Sequence, residues 1–154
     1  MEVSRVGVEV YPNVRWVDAG NVVNLLPDIV EGFRSIADGN PLIDKLYTVE
    51  YVVQQLQEGN FQLFKMYKSG AFDGYAITLI RVYPKCKILE IPFVWGAFGR
   101  TNRNDMLKML QVFGESQGCD YVQGFGRSGW LRGMDVSWER TLSFILEVDN
   151  YANS

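Results

Sequence analysis

The run FQLFKMYKSGAFDGYAITLIRVYPKCKILEIPFVW, from Phe61 to Trp95, constrains the fold more than any other part of the chain. It is dense in β-branched and aromatic side chains, which suit a pleated, half-buried surface. Two groups of turn residues divide it, Ser69-Gly70 and Pro84-Lys85. The pattern predicts three strands, Phe61 to Tyr67, Gly74 to Tyr83 and Lys87 to Trp95. Connections this short make them antiparallel neighbours. Pro92 removes one ladder donor from the third of these strands. It predicts an edge, a bulge or a place where the sheet splays.

The flanks read as helices. Val22, Leu25, Leu26, Ile29, Val30 and Phe33 fall on one stripe of 3.6-residue period. Pro27 lies inside it and either kinks the helix or occupies the first turn of its main part. Gly39 closes this segment. Thr48 is placed as an N-cap, Glu50 suits the positive helix end, and Val49, Val52, Val53 and Leu56 continue the stripe to Gly59. The intervening stretch, Ile36 to Tyr47, reads as a variable loop. Beyond the meander, Met106, Met109, Leu110 and Phe113, with Leu107 beside them, predict a helix from Asn102 or Asn104 to Ser116, stopped by Gly118. Asp120 to Gln123 is a short strand. A helix between it and the preceding strand makes a right-handed parallel βαβ unit. Val6 to Val10 as a first strand, Gly129 to Gly133 as a helical turn and Val136 to Val148 as a last strand complete the order β-α-α-β-β-β-α-β-(α)-β. The expectation is an α+β fold with a mixed α/β sheet. That sheet is mostly antiparallel, has one parallel βαβ unit and carries helices on both faces. Residues 1–150 are expected to form one domain, and 151–154 a frayed polar tail.

With 154 residues, roughly 70% of the unfolded surface can be buried around one core. The formal net charge of −3 offers no basic excess for a generic nucleic-acid surface. GFGRSGW, from Gly124 to Trp130, is superficially similar to an RNA-recognition strand motif but lacks the aromatic run that should follow. Nucleic acid is therefore not an expected partner. Cys86 and Cys119 are too few for a disulfide framework and match no zinc spacing, which makes a reduced, cytoplasmic compartment the default. Histidine is absent, and with it go the Ser-His-Asp and Cys-His nucleophiles, His-based zinc sites and an imidazole acid or base. Asp73 and Asp105 stand alone, so no metal site is expected. No apolar run approaches the ~20 residues of a membrane helix. The opening MEVSRVGVEVYPNV lacks a signal-peptide core.

WGAFGRTNRND, from Trp95 to Asp105, joins the last strand of the meander to the next helix. A helix N-terminus exposes unpaired N–H groups and attracts phosphate. Gly96 and Gly99 would let backbone approach a ligand closely. Arg100 and Arg103 would add charge-assisted bonds, and Thr101, Asn102 and Asn104 would touch the ligand or simply cap the helix. On local sequence both readings stand: an anion cradle, or a capped turn.

The element order resembles the GNAT superfamily of N-acetyltransferases, over roughly Val6 to Val148. Members carry a loop of the form Gln/Arg-x-x-Gly-x-Gly/Ala after the fourth strand. Here Val94-Trp95-Gly96-Ala97-Phe98-Gly99 gives the best register, with Val94 in place of the polar residue, Ala97 in place of the first glycine and Gly99 matching the second. The resemblance implies acetyl-CoA as cofactor and an amine acceptor. The pyrophosphate would be held at Val94, Gly96, Ala97, Phe98, Gly99, Arg100, Thr101 and Asn102. It also implies Glu90, on the fourth strand, as the base. Strict alternation puts Glu90 with Ile88, Pro92 and Val94, opposite Leu89, Ile91 and Phe93, where it is either a base among apolar neighbours or a solvated surface position. The tyrosine acid that many members place after the fifth strand has no counterpart between Val122 and Asn150.

FDGYAITLIRVYPKCKILEIPFVWGA and ESQGCDYVQGFGRSGW are further similar to small GNAT-like proteins of tailed bacteriophages and prophages, through Gly118-Cys119-Asp120 and Arg127-Ser128-Gly129-Trp130. That resemblance implies an alternative: a non-catalytic, virion-associated structural or assembly protein whose partners are phage structural proteins. The location would then be the host cytoplasm or the virion.

Overall fold

The three central strands pair as the sequence predicts, and their turns explain why. In the computed structural model, which describes residues 13–96 and 100–124 (100–102 by backbone only), β2 (Phe61–Lys68), β3 (Ala71–Val82) and β4 (Lys87–Gly96) form an antiparallel meander. Ser69 and Gly70 join β2 to β3 with φ of 51° and 80°. Positive φ at both positions is the two-residue turn whose twist matches that of the flanking strands. The Tyr83 N–H donates to the Cys86 carbonyl at 2.8 Å and closes the next turn. A strand that the sequence reading missed, β1 (Val14–Val17), pairs antiparallel with β2 and buries Val14 completely. β5 (Tyr121–Gly124) pairs parallel with β4. The sheet order is β1-β2-β3-β4-β5, mixed, with one parallel pair. The expected strands Val6 to Val10 and Val136 to Val148, and the turn Gly129 to Gly133, lie outside the described residues.

Ala19–Leu25 is a 3-10 helix, followed by α1 (Leu26–Gly39). Pro27 occupies the first turn of α1, where a missing N–H breaks no helical bond. The expected loop from Ile36 to Tyr47 is largely helical instead: α1 runs through to Gly39, and α2 (Leu42–Leu46) fills most of the rest. Five residues are too few for a periodic stripe to show. α3 (Val49–Gln57) is capped by Thr48, whose Oγ1 accepts from the Tyr51 N–H at 3.3 Å. α4 (Arg100–Ser116) ends as Gly118 turns to φ 76°.

Two cores result, one on each face of the sheet. Met106, Met109, Leu110 and Phe113 of α4 pack with Val14, Phe64, Met66, Leu89 and Ile91. Ile29, Phe33, Val52 and Leu56 of α1 and α3 pack with Leu63, Ile77, Leu79 and Phe93. No helix among the described residues is long and apolar enough to cross a membrane.

The two cores divide β4 in an instructive way. Leu89 and Ile91 belong to the α4 side, but Phe93 belongs to the other. The register shows the cause: Leu79 opposes Glu90 while Ile77 opposes Phe93, so β4 spends three steps where β3 spends two. The extra residue is a bulge at Ile91-Pro92. A bulge tolerates a residue without an N–H and shifts the alternation that follows.

Candidate functional site

Four registered pairs join β4 to β5, from Ile88 with Tyr121 to Ile91 with Gly124. Gly124 is the last described residue of β5, and β4 continues to Gly96. α4 begins at Arg100, so its N-terminus follows closely on the end of β4. The stretch from Ile91 to Arg100 thus combines a bulge and a helix start.

The candidate loop residues divide. Ala97, Phe98 and Gly99 lie outside the described residues. Arg100, Thr101 and Asn102 form the first turn of α4, which starts earlier than the sequence predicts. Val94 packs against the α4-side core, opposite the face that Glu90 occupies, because the bulge intervenes. Gly96 has φ of 121°, and a Cβ there would lie 2.4 Å from the Gly74 Cα and 2.5 Å from the Asp73 carbonyl oxygen. Gly74 is its partner across the sheet. Close strand approach therefore demands this glycine independently of any ligand.

Just before it, Trp95 is clamped. Gly32 of α1 lies so near that a Cβ would fall 2.2 Å from the indole. Tyr75 stacks on the indole with centroids 5.1 Å apart, and its hydroxyl donates to Asp28 Oδ2 at 2.7 Å. Burial, then the hydrogen bond and charge of Asp28, push the Tyr75 hydroxyl well above its ordinary pKa.

Glu90 is not a solvated surface position. It is 6% exposed, and its register partner Leu79 places it on the α1–α3 side of the sheet, with Phe93 rather than opposite it. Strict alternation misassigns Phe93 and Val94 because it counts straight through the bulge. Arg81 Nε donates to Glu90 Oε2 at 2.5 Å. Arg81 lies diagonally across the hairpin: it pairs with Ile88, two positions before Glu90. The hydrogen bond that Arg81 donates to Glu90 raises the guanidinium above its usual range, against partial burial that lowers it. The Glu90 charge adds to the rise, and Tyr47 contributes least. Tyr47 itself sits edge-on to Phe93, with centroids 4.9 Å apart. Gln123 is the partner of Glu90 on β5. The sequence reading missed Arg81, although counting outward from the Pro84-Lys85 turn would have found it.

Other chemistry is weak here. Burial pushes the Cys119 thiol up, the opposite of an activated nucleophile. No group of three or more Cys, Asp or Glu among the described residues is placed to hold a metal.

No protein-family model matches the chain, and no curated protein does. Solved structures do. A predicted acetyltransferase with acetyl-CoA from Clostridium acetobutylicum superposes with a TM-score of 0.59 at 15% identity, over 89% of this chain and 95% of its own. A ribosomal-protein-alanine N-acetyltransferase from Brucella melitensis gives 0.60 at 9% identity, over 88% and 99%. An aminoglycoside acetyltransferase from an uncultured soil metagenomic sample, in complex with sisomicin, gives 0.58 at 13% identity, over 88% and 95%. The chain has the GNAT acetyltransferase fold. At these identities the likeness is one of fold alone. Within this GNAT fold, the β4 bulge and the start of α4 both fall between Ile91 and Arg100.

Proposed function

We propose that the protein is an acyl-CoA-dependent N-acyltransferase, with acetyl-CoA as donor and an amine as acceptor. The observation that carries this reading is the bulge at Ile91-Pro92, which bends β4 shortly before the N-terminus of α4. A bulge splays a strand locally, and an extended pantetheine arm would suit backbone freed in that way. Val94, Gly96, Ala97, Phe98, Gly99, Arg100, Thr101 and Asn102 would hold the pyrophosphate, chiefly through backbone N–H groups of the loop and first helical turn. Bound acetyl-CoA would supply the activated thioester. Glu90 would take a proton from the acceptor ammonium, directly or through water, and Arg81 would hold its carboxylate in place. Water would protonate the leaving thiolate, since no tyrosine follows the fifth strand before Asn150.

Thermal melting with acetyl-CoA tests this. Ligand at about 100 times its dissociation constant adds about 2.7 kcal/mol, which for a chain of this size raises Tm by roughly 5–10 °C. No shift at millimolar acetyl-CoA would sink the reading.

One observation favours a second reading. The Glu90 carboxylate is already engaged by Arg81, as would suit a fold kept without its chemistry in a virion-associated phage protein. Mass spectrometry of purified particles tests that role, and absence of the chain from them overturns it.

A further inference from the structure

We propose that the Arg81–Glu90 pair is the acceptor-recognition element of this protein and selects a zwitterionic acceptor, an amine with a carboxylate close by, as in a free amino acid. The inference rests on the transferase reading and deepens it.

Placement comes first. Glu90 lies two positions before Pro92, about 7 Å along the strand, at the edge of the β4 bulge. A carboxylate there borders the bulge without lying in it.

The asymmetry of the pair comes second. The Glu90 side chain is 9% exposed and that of Arg81 is 47% exposed. The buried carboxylate needs a partner, and here that partner keeps its head half in solvent, where a ligand can reach it. Glu90 engages Nε, not the terminal nitrogens that let a guanidinium grip a carboxylate with two parallel bonds. Tyr47, set edge-on against Phe93, flanks the same guanidinium. Arg81 is thus anchored at its base by a buried carboxylate and flanked by a phenol, with its terminal nitrogens not used by Glu90.

Charge conservation comes third. A simple amine reaching Glu90 as an ammonium would compete with Arg81 and leave the guanidinium without a partner. A zwitterion brings a replacement: its ammonium meets Glu90 while its carboxylate takes the terminal nitrogens of Arg81. Every charge stays paired through the exchange, which matters where one partner is buried. Gln123, opposite Glu90 on β5, and the partly buried Ile88 complete the surround. The reaction balances. The ammonium gives one proton to Glu90 or water, and the amine nitrogen attacks the thioester carbonyl. The C–S bond breaks and the new amide nitrogen loses its second proton. One proton ends on the thiol and one in solvent.

The test titrates two ligands separately by thermal melting: acetyl-CoA, and a panel of free amino acids with their α-carboxamides. The expected result is a shift with acetyl-CoA, and at least one amino acid bound about ten- to a hundredfold more tightly than its carboxamide. The double variant R81Q/E90Q removes both charges and leaves no buried carboxylate unpaired. It should lose the preference for the acid over the amide and keep the acetyl-CoA shift. Should Arg81 alone be changed, R81K should weaken the preference without abolishing it. An acetyl-CoA shift with equal response to acids and amides, or with no response to either, overturns the zwitterion site and leaves the transferase reading standing. An amino-acid shift that depends on Arg81, without any acetyl-CoA shift, does the reverse.

Discussion

Tyr75 of β3 reaches Asp28 of α1 through its hydroxyl and Trp95 of β4 through its ring, and its chemistry gives a pH-dependent prediction. The Asp28 bond and burial hold its folded pKa above the value of about 10 expected in an unfolded chain. The folded state therefore binds this proton more tightly. The associated stability is full below about pH 10 and is lost as pH rises beyond it. Tyr75→Phe should lose about 1 kcal/mol at neutral pH and show a shallower alkaline decline than the wild type in urea titrations at several pH values. The two glycines that hold the exit of β4 make a sharper case. Gly96→Ala forces a Cβ against β3 backbone at a φ that disfavours side chains, and should lose roughly 2–4 kcal/mol in the same assay. Gly32→Ala gains up to about 1 kcal/mol of helix propensity but drives a methyl into the Trp95 indole. Overpacking costs of about 1–3 kcal/mol make the net change a loss.

At the scale of elements, Thr48 caps α3 from a backbone with φ 50° and ψ 149°, a region almost confined to glycine. Glycine is nearly as good an N-cap as threonine, whereas alanine is far worse. Thr48→Gly should therefore match or exceed wild-type stability, and Thr48→Ala should fall below it by about 1 kcal/mol or more, as read from denaturation midpoints. The same elements show what the sequence made legible. α1, α3 and α4 each carry a stripe long enough to declare its period, and the meander carries turn residues at both corners, so these were readable. β1 and α2 were not, because four or five residues cannot establish a period. At the candidate site, the strand-to-helix junction and the place of Glu90 on its strand were legible, but the face of Glu90 relative to Phe93 was not. The bulge that decides it is signalled only by Pro92, which alternation treats as any other residue. Arg81 was hidden for a related reason: its role depends on register across a hairpin, not on its neighbours in the chain.

At the scale of the whole molecule, the sheet separates two cores that share no side chains. Ile29→Val on one side should cost about 1 kcal/mol and Leu110→Ala on the other about 3. The double variant should lose their sum to within about 0.5 kcal/mol, and equilibrium unfolding curves will show whether it does. Independence of the two layers does not mean that they come apart independently. β4 shifts parity at Pro92 yet serves both layers, with Leu89, Ile91 and Val94 under α4 and Phe93 and Trp95 under α1. Loosening either layer alone would tear the same strand. The amide protons on both sides of the shift, at Leu89 and Phe93, should then exchange with solvent at one common free energy, that of global opening.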